Sequence, residues 1–230
     1  MTIPAPPRRG ALAVAPHAVL FDLDGTLVDT APDLGAAANH VRAEAGLPPL
    51  PLETYRPFAS GGARALLKIG MNLAPEHPDF AAGRESFLKF YRANLSKASR
   101  VFPRMLDVLA QFERHRLPWG VVTNKPSWLA EPLMLDLKLS ARAACMVGAG
   151  DALAPKPAPD LLLEACRRIG RKPADCVYVG DDRRDVEAAR AAGMPVVAVA
   201  WGYLGDSESP ADWKPDVVIG EPAELLRLVA

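Results

Sequence analysis

Apolar residues recur along the chain with two different rhythms, and the change between them divides the sequence. Residues 18–21, Ala-Val-Leu-Phe, form an unbroken apolar run, comparable runs stand at 119–122, 143–147, 176–179 and 196–199, and a last short strand is expected at 216–219, where Asp216 precedes three apolar residues. Short continuous runs bounded by turn residues predict strands buried on both faces. Between them, apolar residues spaced three and four apart predict helices over 105–114, 128–137, 159–169 and 183–192. Such alternation predicts a parallel sheet covered by helices on both sides. From Ala31 to about Ser99 the strand signal is absent. Helical spacing over 32–45, 62–71 and 79–95 replaces it, punctuated by turn clusters such as Gly46-Leu47-Pro48-Pro49. The expected fold class is therefore α/β: a doubly wound parallel sheet with a small all-helical insert. The core domain is expected over 17–30 and 101–230, the helical domain over 31–100, and a flexible tail over the proline-rich residues 1–16.

In open parallel sheets, ligands collect beyond the carboxyl ends of the strands. Asp22 and Asp24 follow the first run. Thr123, Asn124 and Lys125 follow the second, a glycine-containing loop leading to Lys156 follows the third, and Gly180, Asp181, Asp182 and then Asp185 follow the fourth. Each has an ordinary reading by itself. Thr123-Asn124 and Asp181-Asp182 can cap the helices that begin after them, and Lys156, between two prolines, can be a solvated loop lysine. Four strands delivering polar groups to one end of a sheet favour a site. Carboxylates gathered there repel by about 4 kcal/mol per pair at ~4 Å and an effective dielectric of ~20. One lysine does not offset that, and an all-oxygen donor set suits Mg²⁺.

Composition narrows the setting. Half of the 230 residues are apolar and the formal net charge is zero, which argues against a nucleic-acid partner or a polybasic membrane surface. No apolar run approaches the length of a membrane span, and the stretch at 11–15 is too short for a signal peptide. Cys145, Cys166 and Cys176 are odd in number and set among apolar residues, the pattern of buried thiols in a reducing compartment, so a cytoplasmic location is expected. His17, His40, His77 and His115 show no ligand spacing.

The string Asp22-Leu23-Asp24-Gly25-Thr26-Leu27 resembles the first motif of the haloacid dehalogenase superfamily, in the phosphatase form with a second aspartate two residues after the first. Thr123, Lys156 and Gly180-Asp181-Asp182-Arg183-Arg184-Asp185 match the second, third and fourth motifs, with the helical insert between motifs one and two as in cap-bearing members. The resemblance implies a phosphomonoester hydrolase. Asp22 would be the nucleophile, Asp24 the general acid and base, and Thr123 and Lys156 the phosphate ligands. Mg²⁺ would be held by Asp22, the Asp24 carbonyl and Asp181, with Asp185 supporting them from behind. Asp24 argues against dehalogenase chemistry, since the dehalogenases lack that acid. A phosphomutase, or a receiver-like phosphate-sensing module, would use similar groups. The module leaves Asp24 and the helical insert without a role.

Substrate choice would fall to the insert. In Ser60-Gly61-Gly62-Ala63-Arg64, two glycines before a helix let backbone amides face an anion and Arg64 adds a fork-shaped donor; the same stretch also reads as an ordinary helix entry with a surface arginine. Gly61, Gly62, Arg64 and Asn124 are thus the substrate-binding candidates, for a small carboxylated phosphomonoester. Thr123-Asn124-Lys125-Pro126 and Lys156-Pro157 are similar to bacterial phosphoglycolate phosphatases. Ser60 to Arg64, Gly180-Asp181-Asp182, Trp201-Gly202-Tyr203 and residues 213–218 look even more like N-acetylmuramic acid 6-phosphate phosphatases. Trp201 and Tyr203 either flank the site or pack a loop. A monomer or weak homodimer is expected.

Overall fold

The apolar runs assemble into one six-stranded sheet in which every pair is parallel. The protein is described here by a computed structural model covering residues 15–205 and 209–229. Its elements are β1 (Ala18–Phe21), β2 (Val28–Asp29), α1 (Ala31–Glu44), α2 (Leu52–Tyr55), a 3-10 turn (Arg56–Gly61), α3 (Gly62–Met71), α4 (Phe80–Ala93), β3 (Arg100–Val101), α5 (Met105–Arg114), β4 (Trp119–Pro126), α6 (Ser127–Asp136), β5 (Met146–Ala149), α7 (Asp160–Ile169), β6 (Cys176–Gly180), α8 (Arg183–Ala191), β7 (Val196–Val199) and β8 (Val217–Ile219). Of the tail expected over 1–16, all but Ala15 and Pro16 lie outside the described residues.

The sheet order is β5-β4-β1-β6-β7-β8. The chain fills one side of β1 and then crosses to the other, so the strand order reverses around β1, where open α/β sheets bind ligands. Successive side chains of a strand point to opposite faces. Val19, Phe21, Val177 and Val179 therefore pack under α5 and α6, whereas Ala18, Leu20, Tyr178 and Ala198 pack under α7 and α8. This two-sided burial is what the unbroken apolar runs predict.

Helices α1, α3 and α4 share a separate core built on Tyr55, Leu66, Leu67, Phe87 and Tyr91. Asp33 of α1 accepts the Ser99 amide at 2.7 Å and the Ser99 hydroxyl at 2.6 Å, tying the start of the helical segment to its end. The ribbon of β2 and β3 closes the same crossing, pairing Val28 with Val101. At two residues per strand it lies below what periodicity can detect. The strand expected over 143–147 becomes regular only at Met146, because Ala143 still closes a helical turn onto the Leu139 carbonyl at 3.1 Å. Among the described residues no helix is long and apolar enough to cross a membrane.

Candidate active site

Register sets the site. Phe21 at the end of β1 pairs with Val121 of β4 and Val179 of β6, so the residues that follow each strand emerge side by side. Gly25 adopts φ +88°, a left-handed conformation that glycine enters freely, and a Cβ there would collide with the Asp181 carboxylate. The turn after Asp24 thus fits against Asp181 only because Gly25 has no side chain.

Lys156 is buried at the centre of this pole. Its Nζ donates to Asp185 Oδ1 at 2.7 Å, Tyr178 Oη at 2.8 Å and the Val122 carbonyl at 3.3 Å, and lies 3.0 Å from Asp22 Oδ1. Burial works to lower the Lys156 pKa, but Asp185 and then Asp22 outweigh it and hold the ammonium above the ordinary lysine range. Asp22 Oδ1 also accepts the Leu23 amide at 2.7 Å. Burial raises the Asp22 carboxyl above its usual range, against the attraction of Lys156.

Asp24 has a different set of partners. Its Oδ1 accepts from Lys125 Nζ at 2.9 Å and from the Thr30 hydroxyl at 2.6 Å. Thr30 stands at the N-cap of α1 but makes no capping bond of its own. Tyr203 Oη takes over, accepting the Thr30 and Ala31 amides at 2.7 and 2.9 Å while donating to Asp29 at 2.8 Å. Thr30 is thereby free to hold Asp24. Trp201 Nε1 donates to the Thr26 carbonyl at 3.1 Å. Of the two readings of Trp201 and Tyr203, these bonds support the one in which both secure the loop after Asp24.

A cavity of about 210 Å³ opens over this pole, lined by Asp22, Asp24, Thr123 and Lys156 from below. Gly61 and Gly62 line it from the helical side, Gly62 at φ +57°. Arg64 does not. It is exposed and lies outside the cavity wall, because one residue past Ala63 the helix has already turned it to solvent. Asn124 also lines the cavity, but both ends of its amide are spent on the Lys156 backbone, at 2.8 and 2.9 Å. These two bonds position the Lys156 backbone.

One oxygen each of Asp22, Asp181 and Asp185 lies within 4.8 Å of the others. At that separation each pair repels by about 3 kcal/mol with an effective dielectric of ~20. Asp181 accepts from the Thr26 hydroxyl at 2.6 Å and the Tyr203 amide at 2.8 Å, and has no ion-pair partner among the described residues. Burial, then Asp22 and Asp185, push its carboxyl far above the usual range. Asp22, Asp181 and Asp185 share a single lysine, Lys156, beside Asp22 and Asp185. The deficit is two charges and the donors are oxygens, so the residues present fit a divalent cation.

With that geometry in place, the haloacid dehalogenase-like hydrolase family model matches residues 19–199. The chain belongs to this family. Among relatives of this haloacid dehalogenase-like hydrolase, a phosphoglycolate phosphatase of Xanthomonas campestris is 46% identical over 91% of the chain and 95% of its own length. An N-acetylmuramic acid 6-phosphate phosphatase of Pseudomonas putida is 42% identical over 93% and 96%. The crystal structure of a predicted phosphoglycolate phosphatase from Haemophilus somnus superposes with a TM-score of 0.84 at 26% identity, covering 95% of this chain and all of that one. The haloacid dehalogenase-like chain is a phosphatase.

Sequence reasoning missed several partners in this hydrolase. Lys125 carried only a weak signal: it follows Thr123 by two residues, but β4 loses regular register there, so spacing does not fix its side. Thr30, Tyr91 and Arg184 carried none, since a helix cap, a core aromatic and a surface arginine look alike until the chain is folded.

Proposed function

We propose that the protein is a Mg²⁺-dependent phosphomonoesterase working through an aspartyl phosphate on Asp22. The observation that carries this reading is the pairing of two differently partnered carboxylates in one cavity, Asp22 beside Lys156 and Asp24 beside Lys125 and Thr30. A carboxylate Oδ of Asp22 attacks phosphorus and the ester P–O bond breaks. Asp24 gives its proton to the leaving oxygen, then takes one from the water that attacks phosphorus and restores Asp22. Thr123, Lys156 and the amides after Asp22 bind the non-bridging oxygens, where phosphoryl transfer gains most of its stabilisation. Asp22, the Asp24 carbonyl and Asp181 would hold Mg²⁺, with Asp185 behind them, and the ion supplies further neutralisation of phosphate charge.

The helical segment, residues 31–100, acts as a cap over the core formed by 17–30 and 101–230. The substrate class is a small carboxylated phosphomonoester such as 2-phosphoglycolate, supported by the relatives of that name. N-Acetylmuramic acid 6-phosphate is the second reading, favoured by the apolar cap-side wall of Leu34, Phe87 and Leu88, against which a sugar ring can pack.

Asp22→Asn is expected to lower phosphate release by at least about a thousandfold while the circular dichroism spectrum stays unchanged. Turnover within tenfold of wild type in pure protein overturns Asp22 as nucleophile.

A further inference from the structure

Among the described residues, the Tyr91 hydroxyl is the only buried side-chain oxygen or nitrogen without a hydrogen-bond partner. Tyr91 is 1% exposed, sits on α4 and lines the cavity. Buried hydroxyls are nearly always paired, so an orphan on a residue that lines a binding cavity points to a ligand. Burial pushes the phenol up to about 12, so it remains a donor at neutral pH. Lys125 Nζ lies over the same ring, 4.7 Å from its centroid. Even a bond from that ammonium to the phenol oxygen would leave the phenol hydrogen without an acceptor.

Two donors, one of them charged, thus stand together beside Asp24. Lys125 donates to both oxygens of Asp24, at 2.9 and 3.2 Å, which leaves one of its three ammonium hydrogens, and the other cations of the cavity are committed to other groups. Lys156 is shared among Asp22, Asp185, Tyr178 and Val122. Arg184 holds Asp182 at 2.6 Å and the Ser60 carbonyl at 3.1 Å. We propose that the Tyr91 hydroxyl and the Lys125 ammonium together receive a carboxylate carried by the organic part of the substrate. This rests on the phosphatase reading.

The test uses two matched pairs of substrates with Mg²⁺: 2-phosphoglycolate against ethyl phosphate, and N-acetylmuramic acid 6-phosphate against N-acetylglucosamine 6-phosphate. Each pair differs by the carboxylate-bearing group. Wild type is expected to prefer the carboxylated member of one pair by tenfold or more in kcat/KM, and the pair concerned identifies the source of the carboxylate. Tyr91→Phe is expected to cut that preference roughly tenfold or more, chiefly through KM, because a hydrogen bond to a charged group is lost. Its melting temperature should stay at or above that of wild type, since the hydroxyl has no protein partner to lose. A preference left intact in Tyr91→Phe overturns the proposal, as does a lowered melting temperature with the preference unmoved. Hydrolysis of all four esters without preference overturns carboxylate recognition and leaves the phosphatase reading standing. Hydrolysis of none overturns that reading itself.

Discussion

The sheet pole and the helical wall opposite it enclose the same cavity on different principles. At the pole nearly every polar atom is committed: Lys156 alone touches two carboxylates, a phenol and a carbonyl within 3.3 Å. The wall is built from Leu34, Phe87 and Leu88, with one hydroxyl that lacks a protein partner. On the proposed reading, the contrast separates two tasks. Groups that must hold a phosphate in one geometry are locked by neighbours, as preorganised electrostatic stabilisation requires. A surface that chooses among organic groups needs only shape and a donor awaiting its acceptor.

The hardest blow to the comparison is Lys156→Met. If the pole is locked by this lysine, its removal leaves Asp22 and Asp185 buried without their cation, and the expected loss is about 3–5 kcal/mol of stability in urea denaturation, with activity abolished. A loss below about 1 kcal/mol would mean that the pole is not organised around Lys156.

A second effect concerns pH. Burial pushes the Asp185 carboxyl from 3.8 up to about 7, and Asp22 and Asp181 move in the same direction. The folded protein then keeps protons that the unfolded chain has released. Stabilisation from these groups is complete below pH 3.8 and is lost as pH rises through about 7. Chelated protein is therefore expected to melt at a lower temperature at pH 8 than at pH 5, and to show no turnover. Added Mg²⁺ should restore activity and shrink the pH difference. A chelated protein that is more stable at pH 8, or fully active, contradicts the charge deficit.

The smallest effect sharpens the other side. Arg64→Ala is expected to change kcat/KM by less than about twofold on carboxylated and plain phosphomonoesters alike, as for an exposed residue outside the cavity. A selective tenfold loss on the carboxylated substrate would return substrate recognition to Arg64.

The strand runs were legible because a strand buried on both faces needs no polar residue, and the runs at 18–21, 176–179 and 196–199 match the sheet closely. Helices α1, α3 and α4 were legible to within two residues from apolar spacing alone. The pole was visible as well, because carboxylates directly after apolar runs are costly without a reason. That Arg64 stands exposed, outside the cavity wall, was not legible, since a helix entry shows which residue types are present and not which way each one faces. Lys125 went unassigned for a related reason: its partner Asp24 lies 101 positions away.

By itself, the sequence determined the alternation of strands and helices and the acidic character of the strand ends, because both follow from residue type and local spacing. Tertiary structure alone decided which cation serves which carboxylate, that Asn124 orients Lys156, and that Tyr91 lines the cavity without a partner. Those outcomes depend on distances between residues far apart in the chain, and only the folded chain sets them.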